Sequence, residues 1–198
     1  MKAIIAVPEG ANPGKVESMR NLGANVVFHG AVFDDALGYA KRLAREEGYR
    51  YIHSANEPAL IAGVGTFTQE IIEELPDVEV ILVPVGGGSG ACGACIVAKT
   101  MNPAIQVIGV QASSAPAAYM SWKEGRIVEA PMETAAEGLA TRTAYELPLG
   151  ILRDLLDDFI LVTEEELNRA VALHLDLVPE AHVEAVLATL VDSILRLQ

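Results

Sequence analysis

An apolar run passes straight into a glycine cluster near the middle of this chain, and that junction restricts the fold more than any other stretch. Ile81 to Val85 has the composition of a buried strand. Gly86, Gly87, Gly88, Ser89 and Gly90 follow without a spacer, and Ala91 to Lys99 reads as a helix. Glycine at such a strand-to-helix turn serves one of two ends. It permits dihedrals that other residues avoid, as a tight turn needs. Or it lets an anion approach the free N–H groups at the positive end of a helix. Gly86, Gly87, Gly88, Ser89 and Gly90 are therefore candidate anion-binding positions, with a plain tight turn as the alternative.

The flanking sequence supplies more units of the same kind. Ile4 to Val7 reads as a strand, Asn12-Pro13 as a helix start, and Lys15 to Leu22 as a short helix. Asn25 to His29 is a second strand. Phe33 to Glu47 carries apolar residues at helical spacing, and Tyr49 to His53 reads as a third, short strand. Thr66 with Gln69 resembles a capping box that opens a helix from Phe67 to Leu75. Gln106 to Val110 is a strand, Ala117 to Glu124 a helix, and residues 125–142 a long connection. Tyr145 to Leu156 reads as a helix in spite of Pro148, and Phe159 to Val162 as a strand. Thr163 and Glu166 form a capping box for a helix from Glu164 to Leu175, and Ala181 to Leu197 is a final amphipathic helix. Steady alternation of strand and helix predicts an α/β fold, a parallel sheet in three αβα layers with right-handed crossovers. The best boundary is the loop at Ser54 to Pro58. It separates two βα units, residues 1–54, from a longer series, residues 55–198.

The side-chain chemistry excludes several functions. Fourteen basic against 27 acidic residues give a formal net charge of −13. No basic stripe exists to neutralise nucleic-acid phosphates, so nucleic acid is not an expected partner. A backbone nest still binds an anion without side-chain charge. No apolar run reaches membrane-spanning length, so no membrane partner is expected. Met1 to Val7 has the look of a leader's start, but Pro8-Glu9-Gly10 ends the apolar run early, so a first strand is the expectation. Cytoplasmic location is the resulting expectation. Cys92 and Cys95 lie one helical turn apart, a spacing open to redox use or to simple core packing. Two thiolates do not complete a zinc site, and His29, His53, His174 and His182 show no ligand-like pairing.

Several segments, in order, resemble one family. Val7-Pro8-Glu9 with Lys15-Val16, Gly23-Ala24-Asn25-Val26-Val27, Ile61-Ala62-Gly63-Val64-Gly65-Thr66 and Val83-Pro84-Val85-Gly86-Gly87-Gly88 are similar to stretches of the threonine/serine dehydratases. Ala136-Glu137-Gly138-Leu139-Ala140 and Thr163-Glu164-Glu165-Glu166 continue the likeness. These are pyridoxal 5′-phosphate (PLP) enzymes of fold type II, the tryptophan synthase β family. The resemblance implies PLP as cofactor, a small amino acid as substrate, and β-elimination of a hydroxy amino acid to a 2-oxo acid and ammonia. It implies that Gly86, Gly87, Gly88, Ser89 and Gly90 hold the cofactor phosphate and that Gly138 passes close to the cofactor. For Gly138 a plain turn is the alternative. Residues 1–54 would belong to the smaller lobe and residues 55–198 to the larger, PLP-phosphate-binding one.

The departures are specific. The family's Schiff-base lysine segment has no counterpart here, and Lys2, Lys15, Lys41, Lys99 and Lys123 lack its context. No catalytic residue is therefore assigned. The family's late segment that meets the cofactor ring also has no counterpart. Pro179 to Glu184 is bulkier and more charged than the small residues that the family places there. Gln111 stands where some relatives hold a divalent cation through a glutamate, so no metal site is expected. The chain is read as a partial, fragment-like version of the fold, incomplete and inactive when isolated. The alternatives are a non-catalytic binding or assembly subunit, or one half of a split PLP enzyme. Either a homo-oligomer or a partner polypeptide is expected.

Overall fold

The computed structural model describes residues 3–177. The chain forms two compact units, Met1–Ile52 and His53–Gln198.

The first unit contains β1 (Ile4–Val7), α1 (Pro13–Asn21), β2 (Asn25–Phe28) and α2 (Phe33–Glu47). The two strands pair in parallel, Ile5 against Val26 and Val7 against Phe28. Asn12 starts α1: its Oδ1 accepts the N–H groups of Gly14 and Lys15 at 2.9 and 3.2 Å, and Pro13 takes the first helical position. Asp35 does the same work for α2, accepting from Ala31 and Val32. Val7, Val16 and Val26 are buried together, one from each of the first three elements. That small core follows from alternation on the strands and one apolar face on α1.

The second unit holds α3 (Pro58–Val64), α4 (Thr66–Glu74), β3 (Val80–Pro84), α5 (Ser89–Met101), β4 (Gln106–Ala112) and α6 (Ala117–Glu124). A 3-10 turn at Glu137–Leu139, α7 (Glu146–Leu155), β5 (Asp158–Val162) and α8 (Glu164–Leu177) follow. Its sheet is parallel with strand order β3-β4-β5. Ile81 lies opposite Val107, and Val110 opposite Ile160. Alternation along the strands splits the side chains between two cores. Ile81, Val83, Val107 and Phe159 pack with α3 to α7, whereas Val110 and Val162 pack with Leu167 and Ala170 of α8. Both faces of the sheet are thus covered, as a parallel sheet requires.

Two local expectations are corrected, and one helix is added. Tyr49 to His53 is not a strand. His53 instead turns its ring back on the chain, and Nδ1 accepts the N–H groups of Ala55 and Asn56, both at 2.9 Å. A side chain that satisfies the local backbone removes the need for a ladder. Residues 58–64 form a helix, with Pro58 at its first position and the Glu57 carboxylate accepting from Ala59. Thr66 and Gln69 form no capping box. The Thr66 hydroxyl donates to the Gly63 carbonyl at 2.8 Å, and Gln69 donates to Glu73. The box at Thr163 and Glu166 does form. The Glu166 carboxylate accepts from Thr163 N–H at 2.7 Å, and Thr163 Oγ1 accepts from Glu166 N–H at 3.2 Å. Pro148 fits α7 because it lies in the first turn, where no N–H partner is needed. The expected helix over residues 181–197 lies outside the described residues.

Candidate functional site

The glycine turn sits at the C-terminal end of β3 and opens α5. Val85 still donates to the Val110 carbonyl at 2.8 Å, so the turn leaves the sheet immediately after it. Gly88 has φ 92° and caps α5, and Cys92 N–H closes the first helical bond on its carbonyl at 2.9 Å. A left-handed residue at that point is what turns the chain from strand direction into the helix.

The walls of the turn are protein atoms in close contact. A Cβ on Gly86 would lie 2.9 Å from Leu139 Cα and 3.0 Å from the Gly138 carbonyl oxygen. A Cβ on Gly87 would lie 2.8 Å from Ala55 Cβ and 3.3 Å from Tyr145 Cε2. On Gly88 it would meet Pro148 Cβ at 3.0 Å. At Gly90 nothing stands within 4 Å. The turn is therefore clamped on the side of residues 86–88 and open at residue 90. Among the described residues, the N–H groups of Gly86, Gly87, Gly88, Ser89 and Gly90 donate no hydrogen bond. Gly86 and Gly88 are buried, and Gly87, Ser89 and Gly90 are half-buried. Five consecutive donors without acceptors, at the positive end of a thirteen-residue helix, fit a phosphate group. The structure brings Gly138 to the same place: its carbonyl and Leu139 form the wall behind Gly86. Thr141 Oγ1 donates to the Gly86 carbonyl at 3.3 Å on that side.

The connection bearing Gly138 is anchored from α8. Glu164 accepts from the Ser114 hydroxyl and, at 3.0 Å, from Ala135 N–H. Burial raises its carboxyl pKa, but the hydrogen bonds from Ser114, Ala135 and Thr134 outweigh that and hold it below the ordinary value. Sequence reasoning gave Glu164 only a place in a capping box. It also missed Ala55, Tyr145 and Leu139 as walls of the turn. Partners separated by dozens of residues leave no local signal.

The remaining candidates lie elsewhere or carry no chemistry. Cys92 and Cys95 are both fully buried. Burial pushes each thiol up to about 12, aided for Cys92 by Cys95 and for Cys95 by Asp157. Neither is a nucleophile near neutral pH. Lys99 lies ten residues past Ser89, roughly 15 Å along the helix axis. Its ammonium donates to the Ile105 carbonyl at 2.7 Å and to Asp157 at 2.6 Å. It is a strut at the far end of the sheet. Gln111 is fully buried, and its Oε1 accepts Tyr119 N–H at 2.9 Å. Among the described residues no three metal-ligating side chains cluster, and no helix is long and apolar enough to cross a membrane.

Known proteins resemble this chain in sequence and fold. The family profile described as pyridoxal-phosphate dependent enzyme matches residues 1–196. The L-threonine ammonia-lyase of Thermotoga maritima is 38% identical over 175 residues, 88% of this chain and 44% of that protein. The catabolic L-threonine dehydratase of Escherichia coli is 36% identical over 171 residues, 85% of this chain and 52% of that protein. Among solved structures, the processed form of threonine deaminase isoform 2 from Solanum lycopersicum superposes with TM-score 0.88 at 29% identity, covering 95% of this chain and 55% of the other. Maize serine racemase gives TM-score 0.88 at 28% identity, covering 98% and 60%. The chain spans about half the length of the curated relatives it matches.

Proposed function

Because the chain belongs to the pyridoxal-phosphate dependent enzyme family, we propose that its glycine turn anchors the phosphate of PLP within a threonine/serine dehydratase-like lyase scaffold. The observation that carries this is the row of N–H groups from Gly86 to Gly90 at the start of α5 that find no acceptor among the described residues, backed by Gly138 and Leu139. PLP, when bound, supplies an electron sink for a bond to the α-carbon of a small amino acid. The chain's own contribution is to bind and orient the phosphate through backbone dipoles, with no charged side chain required. The reading includes part of a smaller lobe in residues 1–54, the larger lobe in residues 55–198, and a cytoplasmic location.

Among the described residues, β3 and β5 are the outer strands of the three-stranded sheet. Outer strands that leave backbone groups unpaired invite a further strand. That favours a second reading, in which the chain works as an assembly subunit or as one half of a split enzyme. A homo-oligomer or a partner polypeptide would then complete the site.

Equilibrium titration of the pure chain with PLP, with inorganic phosphate as competitor, tests the anchor. Borohydride reduction and intact mass follow. The expected result is saturable binding that phosphate displaces, with no mass added on reduction. Absence of phosphate-sensitive binding would overturn the assignment of the turn. A single reduced adduct would identify a covalent lysine within this chain.

A further inference from the structure

We infer that His53 is a positioning residue for the phosphate turn, acting through its unprotonated Nδ1. This rests on the reading of residues 86–90 as a phosphate anchor, and it names what keeps that anchor in shape. His53 is buried, with 7% of its surface exposed. Nδ1 accepts two backbone N–H groups, from Ala55 and Asn56, at 2.9 Å each. An imidazole nitrogen that accepts twice carries no proton, so the ring is the neutral tautomer protonated at Nε2.

The two residues held by Nδ1 reach the turn directly. The Ala55 methyl occupies the space where a Gly87 side chain would go, 2.8 Å from its Cβ position. Asn56 Oδ1 accepts Leu147 N–H at 3.0 Å, in the first turn of α7. That fixes the start of the helix whose Pro148 stands 3.0 Å from the Cβ position of Gly88. The His53 ring also meets Tyr145 edge-on, with centroids 4.4 Å apart, and Tyr145 forms the other wall at Gly87. Residues 53–57 lie in neither helix nor strand. No ladder or helix bond therefore holds Ala55, and the Nδ1 bonds fix its backbone together with that of Asn56. One ring nitrogen thus ties down Ala55, packed on Gly87, and Asn56, bonded to the start of the helix packed on Gly88. Donors fixed in advance bind an anion without paying the cost of ordering first.

The test compares chains of residues 1–198 by calorimetry with inorganic phosphate at pH 8. His53→Phe keeps a ring and removes the acceptor. His53→Asn loses the ring but places a carbonyl oxygen at the same distance from Cβ as Nδ1. His53→Gln carries its carbonyl one methylene too far. The expected result is affinity weakened about tenfold or more in His53→Phe and His53→Gln, the value of one to two hydrogen bonds. His53→Asn should stay within about threefold of the wild-type chain. Equal weakening in His53→Asn and His53→Gln would overturn the proposal, as would wild-type affinity in His53→Phe. If His53→Phe does not fold, the Asn and Gln variants decide by the same comparison. If the wild-type chain binds no phosphate, the anchor reading fails by itself, and amide exchange decides the role of His53. Ala55, Asn56 and Leu147 should then exchange faster in His53→Gln than in His53→Asn, and equal rates would overturn the proposal.

Discussion

Gly87 and Gly90 occupy one turn and obey opposite rules. A methyl on Gly87 must displace Ala55 or the Tyr145 ring, whereas a methyl on Gly90 meets nothing within 4 Å. Gly87→Ala is therefore expected to destabilise the chain by about 1–3 kcal/mol, the usual range for overpacking, and to weaken PLP binding. Gly90→Ala removes backbone freedom from the unfolded chain at a helical position and should stabilise by about 0.5 kcal/mol. Urea unfolding midpoints of the two variants check both signs. If Gly87→Ala were neutral, the contact between the turn and the loop at residue 55 would not be tight. The distinction was not legible in the sequence, where the two glycines look alike. What each glycine faces depends on Ala55 and Tyr145, which are far from it along the chain.

Elements followed the sequence wherever a start signal and its periodic run were adjacent. Asn12-Pro13, Thr163 with Glu166, and the apolar strand at residue 81 each formed as their local chemistry directs. Expectations failed where a side chain answered the backbone by itself, as at His53. Long-range ties were invisible for the same reason, and Glu164 makes one of these. It joins the end of β4, the connection bearing Gly138 and the start of α8 through Ser114 and Ala135. Its folded-state pKa lies below the ordinary value of 4.5, so its contribution to stability is present above that pH. The contribution is lost as pH falls through the lowered folded value. Glu164→Gln should remove this part of the acid dependence. Measured from pH 7 down to pH 3, the stability gap between wild type and Glu164→Gln is expected to narrow. A constant gap would mean that the hydrogen bonds to Ser114 and Ala135 do not depend on charge.

At the scale of the molecule, charge and cofactor are opposed. The chain carries a formal net charge of −13, and PLP is itself an anion. A site built from lysines and arginines would draw the anion in and would weaken as salt screened the attraction. A site built from N–H groups alone, inside an acidic molecule, works against a repulsive field. Screening that field helps the anion approach. At 10 mM salt the Debye length is about 30 Å, so most of the molecule's acidic charge is felt at the turn, and at 150 mM it is about 8 Å. PLP affinity is therefore expected to hold steady or to tighten between these two conditions. Titrations at both ionic strengths, with sodium chloride and a fixed buffer, give the sign. A loss of affinity with salt would mean that cationic side chains hold the phosphate, and the glycine turn would then be a turn and nothing more.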